Sequence, residues 1–153
     1  MALVLAGAGA VMAAYLAVQN LQGETGTCIA THGCARVQNS AYGKILGVPV
    51  SVPGFAMYST LLIGAIAWLV DFRGLRRIIT VGAFNLALFG VLFSGYLTYV
   101  EAYVLDAWCI YCIASATLAS LLFLAWLSLL RILTVGDVER LIASLWGSKR
   151  PVG

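Results

Sequence analysis

Charge is what this chain has least of: only 10% of its 153 residues are Asp, Glu, Lys or Arg, against 62% apolar ones. A soluble domain carries about a quarter charged residues, so a soluble globular fold is excluded. Histidine occurs once, at His32, and no glycine-rich nucleotide fingerprint accompanies it. A histidine-held metal centre and a flavin site are therefore not expected. No basic stripe interleaved with aromatics is present, so the net charge of +3 is not a nucleic-acid footprint. Basic residues are also missing ahead of the first apolar run, and no convincing small-x-small cleavage site precedes Cys28. Residues 1–18 thus read as a retained helix rather than a signal peptide. The segment after Leu130 is shorter than the roughly 40 residues that unaided folding requires, which leaves no room for a second soluble domain.

What the chain does have is long runs without charge, over 1–23, 45–70, 78–100 and 107–130. Each can cross a hydrocarbon core of about 30 Å as a helix rising about 1.5 Å per residue. The expected fold is an all-α integral membrane protein. Its four-transmembrane-helix bundle has spans at about 1–20, 53–70, 78–100 and 108–130, making one membrane domain over 1–135. With four spans, both termini and the link between spans 2 and 3 share a side, which carries Arg73, Arg76, Arg77, Arg131, Arg140, Lys149 and Arg150. The opposite side carries only Arg36 and Lys44, so the positive-inside rule places the termini in the cytoplasm.

The long outer loop closes on Gly47-Val-Pro-Val-Ser-Val-Pro-Gly54, where Pro49 and Pro53 are expected to hold the chain extended before span 2 begins. Within the loop, Asn39 or Ser40 is expected to cap a half-helix at the membrane surface with Ile45 and Leu46 on its apolar face. In the cytoplasmic tail, 136–153, Val138, Leu141, Ile142, Leu145 and Trp146 fall at helical spacing, which predicts an amphipathic interfacial helix. Glu101 and Asp106 read as solvated charges of the outer link, and Gly82, Gly90 and Gly95 as sites of close helix packing.

All four cysteines fall on the non-cytoplasmic side: Cys28 and Cys34 in the outer loop, Cys109 and Cys112 where the outer link meets span 4. That is the oxidising side. Chance would scatter cysteines through apolar helices, yet none lies deep in a span. A C-x-x-C pair at a helix start puts two thiols on one face, and the unpaired N–H groups there favour a thiolate at the first position. A second pair on the same side makes a thiol–disulfide relay possible. The competing uses are two static disulfides in a non-catalytic protein, or a zinc site of Cys28, His32, Cys34 and one cysteine of the second pair. The C-x5-C spacing is not that of a zinc ribbon or finger, so no metal is expected.

The order of these features resembles the vitamin K epoxide reductase family over about residues 1–130. An outer-loop cysteine pair comes first, then Cys34-x4-Asn39-Ser40 leading into a half-helix, then Gly95-Tyr96-Leu97 in span 3, then Cys109-Ile-Tyr-Cys112 opening span 4. The DsbB-type quinone reductases also have four spans and two pairs but carry them in the reverse order. The resemblance implies that Cys112 reduces a quinone, either ubiquinone or menaquinone, that Cys109 exchanges with Cys34, and that Cys28 takes electrons from a thioredoxin-like, DsbA-type partner. It also places Ser40 at the start of the half-helix lid and Leu97 in the quinone pocket. Where vertebrate members carry an asparagine and a tyrosine that bond the ring oxygens, this chain has Val50 and Ala116. Plain quinone reduction, as in bacterial homologues, is therefore expected rather than the vitamin K epoxide chemistry of animal members. No thioredoxin-like domain is fused to the sequence, so the partner is expected to be a separate protein and the location a bacterial plasma membrane. Of the aromatics near the outer face, Tyr42, Phe55, Tyr58, Phe93, Tyr96, Tyr99, Trp108 and Tyr111, only one or two are expected to touch the ring, since Tyr and Trp gather at every membrane interface. Phe55 and Tyr111 are taken as the candidates. The function expected is a membrane thiol:quinone oxidoreductase that generates disulfides.

Overall fold

The computed structural model describes residues 1–22, 33–38, 40–45, 47–70 and 74–147. In chain order these form α1 (Ala2–Leu21), α2 (Gly33–Gln38), a 3-10 turn (Ala41–Gly43), strands β1 (Lys44–Ile45) and β2 (Val48–Pro49), α3 (Ser51–Leu69), α4 (Arg76–Tyr103) and α5 (Ile110–Gly147). α1, α3, α4 and α5 are long and apolar enough to cross a membrane. Around the bundle α1 adjoins α3, α3 adjoins α4, α4 adjoins α5, and α5 closes back on α1. This is the all-α four-helix membrane bundle that the charge-free windows imply. Large apolar side chains such as Val11, Ile63, Phe89 and Leu92 cover its outside, which is no liability where the solvent is lipid.

Lipid is as apolar as the helices it surrounds, so close packing rather than hydrophobic transfer holds the helices together. α1 shows this: Ala6, Gly9, Ala10, Ala13 and Ala17 make one buried face of small residues at the three- and four-residue spacing of a helix stripe. The Tyr58 ring of α3 lies directly on the Gly9 backbone, where any side chain would overlap it. Of the three glycines expected at close crossings, only Gly90 is at one, since a Cβ there would sit 2.7 Å from Met57 Sδ. Gly82 and Gly95 face open space, with nothing within 4 Å. Beyond Tyr58, Leu61, Leu122 and Trp126 complete a core at the end of the bundle that carries the termini.

Four local expectations need correction. Pro53 does not precede span 2 but lies in the first turn of α3, where its missing N–H has no helical partner to lose. Ser40 is a cap, accepting from Gly43 N–H at 3.2 Å and donating to the Val37 carbonyl at 2.7 Å, but what it caps is a single 3-10 turn. The chain stops there because Gly43 lies so close to the Val37 and Gln38 carbonyls that the coil is pinned, and Lys44–Ile45 then pairs antiparallel with Val48–Pro49 around Gly47 at φ 84°. Ile45 is thus in a strand rather than on a half-helix, and the loop's real helix, α2, begins before Asn39. The tail is not a separate element: α5 continues unbroken through Gly136 to Gly147. At 38 residues it is about 57 Å long, well beyond the hydrocarbon core. Finally, α4 reaches Tyr103, which draws Glu101 out of the expected link and into a helix.

Candidate functional site

At the opposite end from the core the four helices part. A cavity of about 540 Å³ opens between them, and its lining is almost wholly apolar. Met12 and Leu16 come from α1, Met57 from α3, Phe93 and Leu97 from α4, and Val37, Pro49 and Val50 roof it from the loop. Tyr58 forms its base, with its hydroxyl 2.9 Å from the Ser115 carbonyl and 3.0 Å from Ser115 Oγ. Both Cys109 and Cys112 line the wall.

The start of α5 sets the cysteines. Asp106, with φ at 46°, turns the chain in the link, and Ile113 N–H bonds the Cys109 carbonyl at 3.1 Å to open the first turn. The first N–H groups of a helix have no partner within it. That of Cys109 finds one in Glu101, whose Oε2 accepts it at 3.1 Å. Cys109 is only 1% exposed and packs with Val37 and Ala107, while Cys112 is half-buried against the cavity. The two thiols are not bridged. Each lies within 4.8 Å of the other and of a Glu101 carboxylate oxygen. The Cys112 thiol, hydrogen-bonded to Cys109, brings the Cys109 thiol down to about 7, helped by the N–H groups of Cys112 and Tyr111; burial and the Glu101 charge oppose it. The lowering expected from the helix start is therefore present, but its leading cause is the second cysteine. A low thiol pKa makes a thiolate available for exchange near neutrality.

Glu101 corrects the sequence reading most sharply. Instead of a solvated link charge it is a buried residue, 1% exposed, and its Oε1 has no hydrogen-bond partner. Such an orphaned acceptor costs about 1–3 kcal/mol, more when charged. Its only sequence signal was position, eight residues before the C-x-x-C at the end of an apolar run.

The other expected residues divide. Leu97 and Tyr111 line the cavity beside Cys112, whereas Ser40 and Phe55 are not among its lining residues. Of the eight interfacial aromatics, Tyr58, Phe93 and Tyr111 line it, while Tyr42, Phe55, Tyr96, Tyr99 and Trp108 are exposed and not among its lining residues. Val50 is at the roof, but Ala116 faces away, into a shallow groove with Trp108 and Thr117. The residue one turn beyond Cys112 that meets the cavity is Ser115. Cys34 belongs to α2, whose Val37 packs against Cys109; Cys28, His32, and the Cys34 side chain lie outside the described residues.

No curated protein matches the chain significantly. A family model does, that of the vitamin K epoxide reductase family, over residues 1–128, and this stretch includes the first three spans, the first half of α5, both cysteine pairs and every residue lining the cavity. A multi-pass membrane bundle with a C-x-x-C opening its last helix onto an apolar cavity, matched over most of its length, places this chain in the vitamin K epoxide reductase family, whose members are quinone-linked membrane oxidoreductases.

Proposed function

We propose that the protein is a thiol:quinone oxidoreductase that makes disulfides, passing electrons from a thioredoxin-like, DsbA-type partner through Cys28 and Cys34, then through Cys109 and Cys112, to ubiquinone or menaquinone. The observation that carries this reading is the cavity against the Cys112 thiol. Its volume of about 540 Å³ falls within the roughly 300–1,000 Å³ of small-molecule sites, and an apolar lining with few polar groups suits a lipid-soluble ring. A lipid-borne acceptor also needs to approach from within the bilayer, and Cys112 lies about one helical turn deeper than Cys109.

Each transfer along the relay is thiolate attack on a disulfide, passing through a mixed disulfide. The partner's thiolate attacks the Cys28 sulfur and opens the Cys28/Cys34 bond. The freed Cys34 attacks Cys109, opening the second pair and leaving Cys112 as a thiol. The partner's second thiol closes the partner's own disulfide and releases Cys28, which attacks Cys34, so that the Cys28/Cys34 bond reforms and Cys109 leaves as a thiolate. Cys112 then delivers two electrons to the quinone as the Cys109/Cys112 bond reforms. Packing of Val37 on Cys109 supports the middle step, because it holds the Cys34-bearing helix at the start of α5. The acceptor must lie above the partner's potential, about −120 mV for a DsbA-type protein, and a quinone does. The seven cations on the side of the termini support a cytoplasmic placement for them and an outer, oxidising one for the cysteines; a bacterial plasma membrane meets both conditions. Epoxide reduction is not part of the proposal, since Val50 and Ala116 offer no hydrogen-bond donor and Ala116 does not face the cavity.

The test is anaerobic quinone reduction by the purified protein supplied with a reduced thioredoxin-like donor. Cys112→Ala is expected to abolish it while leaving exchange between the loop pair and the donor intact. Cys112→Ser is expected to accumulate Cys34 bonded to Cys109. Undiminished quinone reduction without Cys112, or cysteine pairs that never exchange, removes the basis for this function.

A further inference from the structure

One buried ionisable group has no part in that relay. Glu101 ends α4 with its carboxylate within 4.8 Å of both sulfurs. Oε2 is occupied by the Cys109 N–H, but Oε1 is buried and free to accept. Around it the titratable and charged groups are few. Cys109, immediately before α5, and Cys112, in its first turn, face it. Arg36 on α2, Lys44 on β1, Tyr103 on α4 and Asp106 in the link are all exposed, while Tyr111 lies beside Cys112 and rings with Tyr15 of α1. Among the described residues, no cation forms an ion pair with it.

Quinone reduction requires that Cys112 lose its proton while half-buried against an apolar cavity. Apart from the Cys109 thiolate, which must stay unprotonated for its closing attack on Cys112, the polar groups of that cavity, such as Tyr58, Ser94, Ser115, Asn20 and Gln38, are hydroxyls and amides, and none is a base at neutral pH. Sending the proton to water would add a charge to a buried cluster, whereas moving it from sulfur to the neighbouring carboxylate leaves the cluster's charge unchanged. Resting on the functional reading above, we propose that Glu101 is the general base of quinone reduction, accepting the proton of the Cys112 thiol as that sulfur attacks the ring.

The step balances with Cys109 as thiolate and Cys112 as thiol. The Cys112 S–H bond breaks, its proton goes to Glu101, and the sulfur bonds a quinone carbon. The Cys109 thiolate then attacks the Cys112 sulfur, the S–S bond forms, the C–S bond breaks, and its electron pair stays on the ring. The dithiol has lost two electrons and the quinone has gained two. The quinol's two protons are the one held by Glu101 and one from water, matching the proton that Cys109 gave up on ionising.

The alternative is that Glu101 merely caps α5, and Glu101→Gln separates the two, since glutamine keeps an acceptor oxygen for the Cys109 N–H but takes no proton. Removing the negative charge also frees the Cys109 thiol to ionise at lower pH. The experiment is single-turnover reduction of a short-chain ubiquinone by the dithiol form, with thiolate content read separately by iodoacetamide alkylation against pH and no quinone present. Glu101→Gln is expected to slow quinone reduction by about 10²-fold or more although its thiolate forms at equal or lower pH, and Glu101→Asp is expected to recover part of the rate. A glutamine variant as fast as the wild type overturns the proposal, as does one whose loss of rate matches an equal loss of thiolate. Should that variant not accumulate, infrared difference spectra of the wild type on quinone addition decide: a carboxylic-acid C=O band must rise and fall with dithiol oxidation, and a silent carbonyl region overturns the proposal. A wild-type protein that titrates its thiols but reduces no quinone overturns the functional reading and this proposal with it; an unslowed glutamine variant beside an active wild type overturns this proposal alone.

Discussion

The two ends of the bundle are made from the same four helices and nearly the same apolar residue types, yet one is closed and the other hollow. At the end with the termini, small faces meet large ones: Ala6, Ala10 and Ala65 are filled by Leu61, Leu122 and Trp126. At the cysteine end, large residues stand on the walls with nothing opposite, and a cavity of about 540 Å³ remains. The boundary is Tyr58, which belongs to both. Composition does not make a site here; the matching of side-chain sizes across facing helices does.

Substitutions at the two ends should therefore separate stability from activity. The largest expected effect is Trp126→Ala, fully buried at the closed end. Truncations of this kind cost about 3–5 kcal/mol in soluble cores, and a value at the low end is expected here because no transfer from water adds to the lost packing. Leu97→Ala at the cavity wall is expected to leave the unfolding temperature in detergent within a few degrees of the wild type while raising KM for quinone. A Leu97 variant that unfolds as early as the Trp126 one erases the distinction. Next in size is Gly9→Ala, whose new methyl meets the Tyr58 ring and is expected to cost about 1–3 kcal/mol by overpacking. Gly95→Ala, with open space around it, is expected to gain a few tenths from helix propensity. Equal melting shifts for these two would mean that the α1–α3 approach is looser than described.

Acidity gives a third contrast, within the open end itself. Because the Cys109 pKa is depressed to about 7, its thiolate dominates above that value and is lost as pH falls through it. Exchange with a small disulfide should drop about tenfold per pH unit below 7. An ordinary thiol would show that slope up to pH 8 or beyond, and finding it would leave Cys109 unactivated. The smallest effect is expected from Val50→Asn, which adds a donor at the cavity roof and should lower KM for quinone by a few-fold. Ala116→Tyr, aimed into the outer groove, should leave that KM unchanged.

Much of this architecture was legible without coordinates, and the reason differs by feature. Spans are dictated by the cost of charge in hydrocarbon, so runs free of Asp, Glu, Lys and Arg located all four helices to within a few residues, the far end of α5 excepted. The cysteine pair was legible because two thiols three residues apart at a helix start have few structural uses. Glu101 was misread because a charge beyond an apolar run resembles any link residue; what buries it is the bend at Asp106 that brings Cys109 N–H back onto it, a tertiary fact. Gly9 escaped for a similar reason: in α1 it is one small residue among many, and only the position of Tyr58 makes it indispensable. The half-helix at Ser40 failed on a local point, since the cap was read correctly but the backbone crowding at Gly43 was not.

The seat of the Tyr58 ring on Gly9 also fixes how far any occupant can travel. Backbone beneath the ring and a hydroxyl tied to Ser115 at its rim make it a hard stop. Beside it, the wall includes Met57 lying on Gly90, and methionine, with three rotatable bonds, yields readily. The cavity is thus rigid in depth and compliant in girth, with its floor one helical turn beyond Cys112, at Ser115.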